Sequence, residues 1–210
     1  FTYTGAVSAP FFMLKRLSSF VLLSMLTASC VNAEQAKQKE TEVQEKDVVS
    51  IPVEPYRSSW KCPECTPEEQ FVLAELQEHT QISDRNALST IMGNIKQESK
   101  FIPNICEGGA LVSYNNCYSG GYGLIQWTSL NRYRGLGFFA KKYNCDPSSL
   151  ECQTRYMINE NIFQKHLPMF EGNGQTVSQY MIPAYYWLGW GIKGQRENYA
   201  YEYTKKLVLA

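Results

Sequence analysis

The chain has 210 residues, 44% hydrophobic and 19% charged, which suits one globular domain plus an appendage rather than two full domains. Twenty basic residues balance twenty acidic ones, and this neutrality argues against a nucleic-acid binder, which normally carries a basic excess. Aromatic residues make up 13% of the chain and all four tryptophans lie from Trp60 onward, a composition that serves flat carbohydrate-binding faces and packed cores alike.

The start of the chain reads as an address. Met13 is the expected initiator, and Phe1 to Phe12 fit no export pattern and read as an upstream extension. The basic run Met13-Leu14-Lys15-Arg16, the apolar run Phe20 to Leu26 and the small residues that follow have the layout of a signal peptide, too short to span a bilayer comfortably. Cys30, after Ala28-Ser29, resembles the lipidated cysteine of bacterial lipoproteins, although Thr27 stands where that signal usually has Leu. Lipidation at Cys30 would attach the chain to a membrane, and cleavage after Ala33 is the alternative. Both predict export, to the periplasm, the cell envelope or the medium. Residues 34–60, rich in Gln, Lys, Glu and Thr and carrying Pro52 and Pro55, cannot bury enough apolar surface to order themselves and read as a disordered linker. Residues 61–210 are then the folded domain.

Within that domain Thr66, Pro67 and Glu69 form an N-cap and capping box ahead of Phe71, Leu73 and Leu76, predicting a first helix. A second helix starts at Ser83 or Asp84 and carries Ala87, Leu88, Ile91, Ile95 and Glu98, with Pro103 ending any continuation. Gly93 inside it costs about 1 kcal/mol relative to Ala, which implies close packing against another backbone. Between Asn104 and Trp127 the composition turns to Gly, Asn, Ser and Tyr, predicting a lobe of turns and short strands. Helical periodicity returns over Leu130 to Tyr143, with Asn144 as C-cap, and again from Ser148 or Ser149 through Tyr156, Ile158, Ile162 and Phe163. Thr176 to Trp190 is strongly aromatic, and Pro183 should kink or break any helix there. Gln195 to Leu209 predicts a final helix.

Cys30 aside, the cysteines number six, Cys62, Cys65, Cys106, Cys117, Cys145 and Cys152, an even count that suits disulfides in an exported chain. Cys106 with Cys117 and Cys145 with Cys152 would close short local loops. The Cys62-Pro63-Glu64-Cys65 stretch is harder to place: it lacks a second such motif, and only His79 and His166 offer imidazole, so no metal or cofactor is expected.

Glu98 is the residue from which function can be argued. At about 100° per residue, Ala87 and Ile91 lie within about 20° of it along the helix, so the glutamate ends an apolar stripe. Burial there disfavours the charged form and raises the pKa, which is how a general acid is made. The bland alternative is a helix-end glutamate that turns to water or pairs with Lys96 or Lys100.

Ile91-Met92-Gly93-Asn94-Ile95-Lys96-Gln97-Glu98-Ser99, followed by Gly120-Gly121-Tyr122-Gly123-Leu124-Ile125-Gln126-Trp127-Thr128, resembles the tail-lysozyme family of phage peptidoglycan-degrading enzymes and, more distantly, goose-type lysozymes and lytic transglycosylases. The resemblance covers roughly Pro67 to Leu207. It implies an α+β, mainly α, lysozyme-like fold with a small irregular or β lobe, and a cleft that binds peptidoglycan glycan strands. Glu98 matches the family's catalytic acid and Ser99 the residue holding the turn behind it. Gly123, Gln126 and Trp127 match the segment opposite, and Tyr185 and Tyr186 loosely match a later aromatic motif of transglycosylases. Trp127 and Tyr122 could stack on sugar faces, or could be core anchors beside a tight glycine turn.

Glycosidic cleavage needs a proton for the departing oxygen and a means of managing oxocarbenium-like charge. Glu107 and Glu160 are the candidates for a second carboxylate, although in the transglycosylases none is needed because the substrate's own hydroxyl attacks. The expected function is therefore glycosidic cleavage of peptidoglycan by a monomer with Glu98 as the single acid and base. The rivals are a non-catalytic wall-binding or virion structural module, and an amidase or endopeptidase.

Overall fold

The computed structural model describes residues 59–210, so the expected signal segment, Cys30 and nearly all of the expected linker lie outside the described residues. Seven helices account for most of the described chain, and the second packs against the first, sixth and seventh. This is a mainly helical, lysozyme-like architecture.

Helix α1 (Pro67–His79) starts as expected: Thr66 caps it, and Glu69 returns a bond to the cap backbone at 2.8 Å. Helix α2 (Arg85–Ser99) is capped by Asp84, whose Oδ1 accepts from the Asn86 amide at 2.7 Å. Every residue from Ala87 to Ile95 is buried, so α2 is a central helix rather than one with a single apolar stripe. Exposure begins only at Lys96, which leaves the last turn, with Glu98, where the core meets solvent.

Helix α7 (Arg196–Lys206) packs directly against α2, and Gly93 makes this approach possible. A methyl group at Gly93 would lie 2.4 Å from the Ala200 amide nitrogen, closer than any unshifted atom pair permits. The glycine's cost in helix propensity is thus offset by a backbone-to-backbone contact. The chain does not stay helical to Leu209: α7 ends at Lys206, and β2 (Val208–Leu209) pairs antiparallel with β1 (Trp60–Lys61), Trp60 opposite Leu209.

Helix α3 (Leu130–Tyr143) and its Asn144 cap, in the left-handed region at φ 51°, follow the expected pattern. The following helix does not run through Phe163. It divides into α4 (Leu150–Asn159) and α5 (Asn161–Phe170) at Glu160, whose backbone is extended. Periodicity cannot reveal this break, because the apolar spacing continues across it; the tertiary contacts of the Glu160 carboxylate hold it in place. Pro183, in turn, does not break α6 (Val177–Leu188). The carbonyl that loses its partner is that of Gln179, an exposed residue that water can reach.

The lobe between α2 and α3 holds only isolated bridges, Ile105 with Leu111 and Cys106 with Tyr122, and a 3-10 turn at Tyr114–Asn116. Cys106–Cys117 ties it together and Cys145–Cys152 ties the α3–α4 connection, as the local spacing predicts. Cys62 and Cys65 are also joined to each other. Among the described residues no helix is long and apolar enough to cross a membrane.

Candidate functional site

The chain leaves α2 through two successive non-glycine residues in the left-handed region, Lys100 (φ 53°) and Phe101 (φ 65°). Such conformations are costly and persist where surrounding contacts over-determine them. Ser99 supplies those contacts: its Oγ donates to the Leu124 carbonyl at 2.8 Å and accepts from the Phe101 amide at 3.1 Å. One buried hydroxyl thereby joins the end of α2 to the glycine-rich segment opposite.

That segment is braced from behind by the buried Gln153, which accepts from the Leu124 amide at 2.7 Å and donates to the carbonyls of Pro103 and Pro147. Gly123, at φ 72°, must be glycine because a side chain would run into the Gln153 amide at 2.4 Å. Its absence of a side chain answers to this packing. Gln126 adopts φ 51° and donates its amide to the carbonyls of Gly123 and Ile105.

Between this segment and the loop after α6 lies a groove of about 660 Å³. Its walls include Glu98 from α2, Gln126 and Thr128 before α3, Arg132 from α3, Trp190 and Ile192 after α6, and Arg196 at the start of α7. Another hollow, of about 610 Å³, is lined by Trp60, Leu73, Gln77 and other residues around β1 and α1, and shares none of these residues. It lacks the convergence of charged groups seen around Glu98.

The Glu98 side chain is 14% exposed and its Oε1 accepts from Arg196 Nη2. Oε2 has no hydrogen-bond partner among the described residues. Burial pushes the pKa of Glu98 above the ordinary carboxylate value, against the opposing pull of Arg196 and, more weakly, of Arg132. Arg196 is itself buried, with Nη1 on the carbonyls of Ile192 and Lys193, both at 2.9 Å, and with its guanidinium carbon 4.8 Å from the Trp190 ring centre.

The other sequence candidates fall elsewhere. Glu160 receives both arms of Arg132, each at 2.6 Å, and also bonds from Trp127 Nε1 and Tyr156, both at 3.4 Å. Burial first, and the Glu160 charge second, push the Tyr156 phenol up. Glu107 is exposed, does not line the groove, and accepts from the Gly121 amide at 2.9 Å, so it closes the lobe on itself. Trp127 and Tyr122 are wholly buried and offer no face to a ligand, which resolves their two sequence readings toward core anchors. Tyr185 and Tyr186 are about half exposed on α6, and the Tyr185 ring meets Trp190 edge-on at 5.3 Å. His166 stacks on Tyr186, and His79 pairs with Glu75 at 3.4 Å.

The family model for phage tail lysozyme matches residues 74–207. The chain belongs to the phage tail lysozyme family. No curated protein and no solved structure matches it. Membership in the tail lysozyme family carries peptidoglycan degradation by glycosidase-type activity, with peptidoglycan as the substrate and a place in phage or cell-envelope biology. Within the matched span, sequence reasoning misses Arg132, Trp190, Ile192 and Arg196. Arg196 is 98 positions from the carboxylate it touches, and only its place after a glycine-punctuated aromatic run, Trp190-Gly191-Ile192-Lys193-Gly194, marks it out.

Proposed function

We propose that the chain cuts the glycan strands of peptidoglycan at the bond between aminosugars, with Glu98 acting first as general acid and then as base. The observation that carries this reading is that Glu98 is the single carboxylate among the described residues lining the groove. Its partial burial raises the fraction that holds a proton near neutrality. Protonated Glu98 gives its proton to the bridging oxygen as that bond breaks, and the resulting carboxylate takes a proton from the attacking group.

The attacking group decides the product. An inverting hydrolase holds a second carboxyl about 6.5 to 9.5 Å from the acid to activate water. Glu160 is committed to Arg132 and Glu107 lies off the groove. This supports the lytic transglycosylase route, in which the substrate's own hydroxyl attacks and no second carboxylate takes part. Gln126 and Trp190 contact the sugars along the groove, and Tyr185 and Tyr186 extend the aromatic wall beyond it. Export directed by the signal segment from Met13 to Ala33, lipidation at Cys30 and a tether over 34–60 belong to the same proposal.

Purified cell wall is the test substrate. Glu98→Gln is expected to fold and to release no fragments, and the wild-type products are expected to carry anhydro ends by mass spectrometry. Reducing ends would assign hydrolysis, whereas binding without fragments would assign a wall-binding module. Clearing by Glu98→Gln would place the acid elsewhere. Replacing Cys30 by Ala should move the chain out of the membrane fraction, and unchanged fractionation would remove the lipid anchor.

A further inference from the structure

The Arg196–Glu98 pair is not what stability alone would select. Arg196 is the first residue of α7, where a cation opposes the positive end of the helix dipole. Its Nε is buried without a hydrogen-bond partner among the described residues, a further cost to the folded state. Yet the side chain is fixed on every remaining side. Nη1 holds two loop carbonyls, Trp190 covers the guanidinium plane, and Nη2 holds one oxygen of Glu98. Gly93 sets this in place from below: a side chain there would also lie 2.8 Å from the Arg196 carbonyl oxygen, so the glycine permits α7 to begin beside the end of α2.

We infer that Arg196 is a positioning residue of the cleavage reaction, fixing Oε1 of Glu98 so that Oε2 is the oxygen presented to the bridging oxygen of the glycan. The inference rests on the reading of Glu98 as the acid. Because Oε2 has no other partner among the described residues, holding Oε1 fixes the rotation of the carboxyl group, and orientation of this kind contributes directly to the rate. The guanidinium does a second thing. Glu98 must give a proton and then take one, so its pKa has to stay near the working pH. Burial raises the pKa of the carboxyl, and the adjacent cation restrains the rise. Among the described residues, few charged groups face Glu98. Arg196 comes from α7 and Arg132 from α3, the latter already holding Glu160. The groove residues from the segment before α3 and from the loop after α6, Gln126, Thr128, Ser129, Trp190 and Ile192, do not titrate. Lys96 and Lys193 are paired with Glu202 and Glu197.

The experiment compares the pH dependence of kcat and KM on purified peptidoglycan strands for the full chain and for Arg196→Met, Arg196→Lys and Glu98→Gln. A general acid loses competence as pH rises through its pKa, so removing the cation should carry the alkaline limb of Arg196→Met upward by about one to three pH units. Its maximal kcat should fall by about 10- to 100-fold with KM changed less. Arg196→Lys keeps the charge and loses the fork, so its limb should stay near wild type while kcat falls about tenfold. A limb that does not move in Arg196→Met would reduce Arg196 to a structural role and overturn the inference. If Arg196→Met does not fold, Arg196→Lys decides: wild-type kcat overturns the inference, and lowered kcat with an unmoved limb supports it. Activity in Glu98→Gln would instead overturn the assignment of the acid, a separate result.

Discussion

Two glutamates in this fold, one buried and one partly buried, each face an arginine, and they are built to opposite ends. Glu160, at the α4–α5 break, receives two bonds from Arg132 and further bonds from Trp127 and Tyr156, so both of its oxygens are engaged. Glu98, at the end of α2, receives one bond from Arg196, keeps an oxygen unpartnered among the described residues and lines the groove. A carboxylate with both oxygens engaged is a rivet, because its charge is neutralised and its geometry fixed. One held by a single oxygen beside an open groove is still able to exchange a proton. The residue type is the same, and the difference lies in the number of partners supplied and in the greater exposure of Glu98.

Amide substitution at both positions should separate the two roles most sharply. Glu98→Gln should lower the rate of wall clearing by at least about 100- to 10,000-fold, the usual span for loss of a general acid, while the variant still folds, since its amide oxygen can accept from Arg196. Glu160→Gln should act on stability instead, costing about 1 to 3 kcal/mol in denaturant unfolding because the charged two-armed contact with the half-buried Arg132 is weakened, with activity per folded molecule largely kept. Equal loss of activity in the two variants would break the contrast.

Gly93→Ala tests how the Glu98 side of the comparison is assembled. The added methyl group meets the backbone of Ala200 and Arg196, so a destabilisation of about 1 to 3 kcal/mol is expected from overpacking, together with a fall in kcat as Arg196 moves away from Glu98. Wild-type stability and rate would show that α7 is free to shift.

The pH dependence gives a smaller effect. Burial raises the pKa of Glu98 above its ordinary 4.5, and an acid works while protonated. The alkaline limb of kcat/KM should therefore lie above pH 4.5, with activity lost as pH rises through the folded value. A limb at or below 4.5 would place Glu98 among ordinary solvated carboxylates. Smallest of all, Tyr185→Ala should raise KM by about threefold to tenfold, in line with the loss of one aromatic contact of about 1 kcal/mol, and leave kcat unchanged in steady-state assays.

Much of this arrangement can be read from the chain before it folds, and the exceptions share a cause. The cap of α1, the close approach at Gly93, the partial burial of Glu98 and two of the disulfides all follow from local spacing or from one residue's known preference. Arg196 does not, because nothing local announces that a cation 98 residues away will reach the carboxylate. Trp127 and Tyr122 illustrate a different limit: an aromatic side chain beside glycines looks the same whether it will face sugar or be sealed in the core. Glu160 illustrates a third, since the apolar period runs on from Ile158 to Ile162 while the carboxylate's tertiary partners stop the helix between them. The persistence of α6 through Pro183 depends on which carbonyl can reach water, and that is settled only once the outer face of the helix is known.

The two-residue ladder between Trp60–Lys61 and Val208–Leu209 brings the first and last described residues together, with the Ala210 amide donating to the Ser59 carbonyl at 2.9 Å. A unit whose entry and exit points adjoin in this way is modular in the engineering sense. It can be spliced into a loop of a host scaffold, or its ends fused and new ones opened at the exposed Gly108-Gly109 turn, without altering the spacing of the two arginines across the groove.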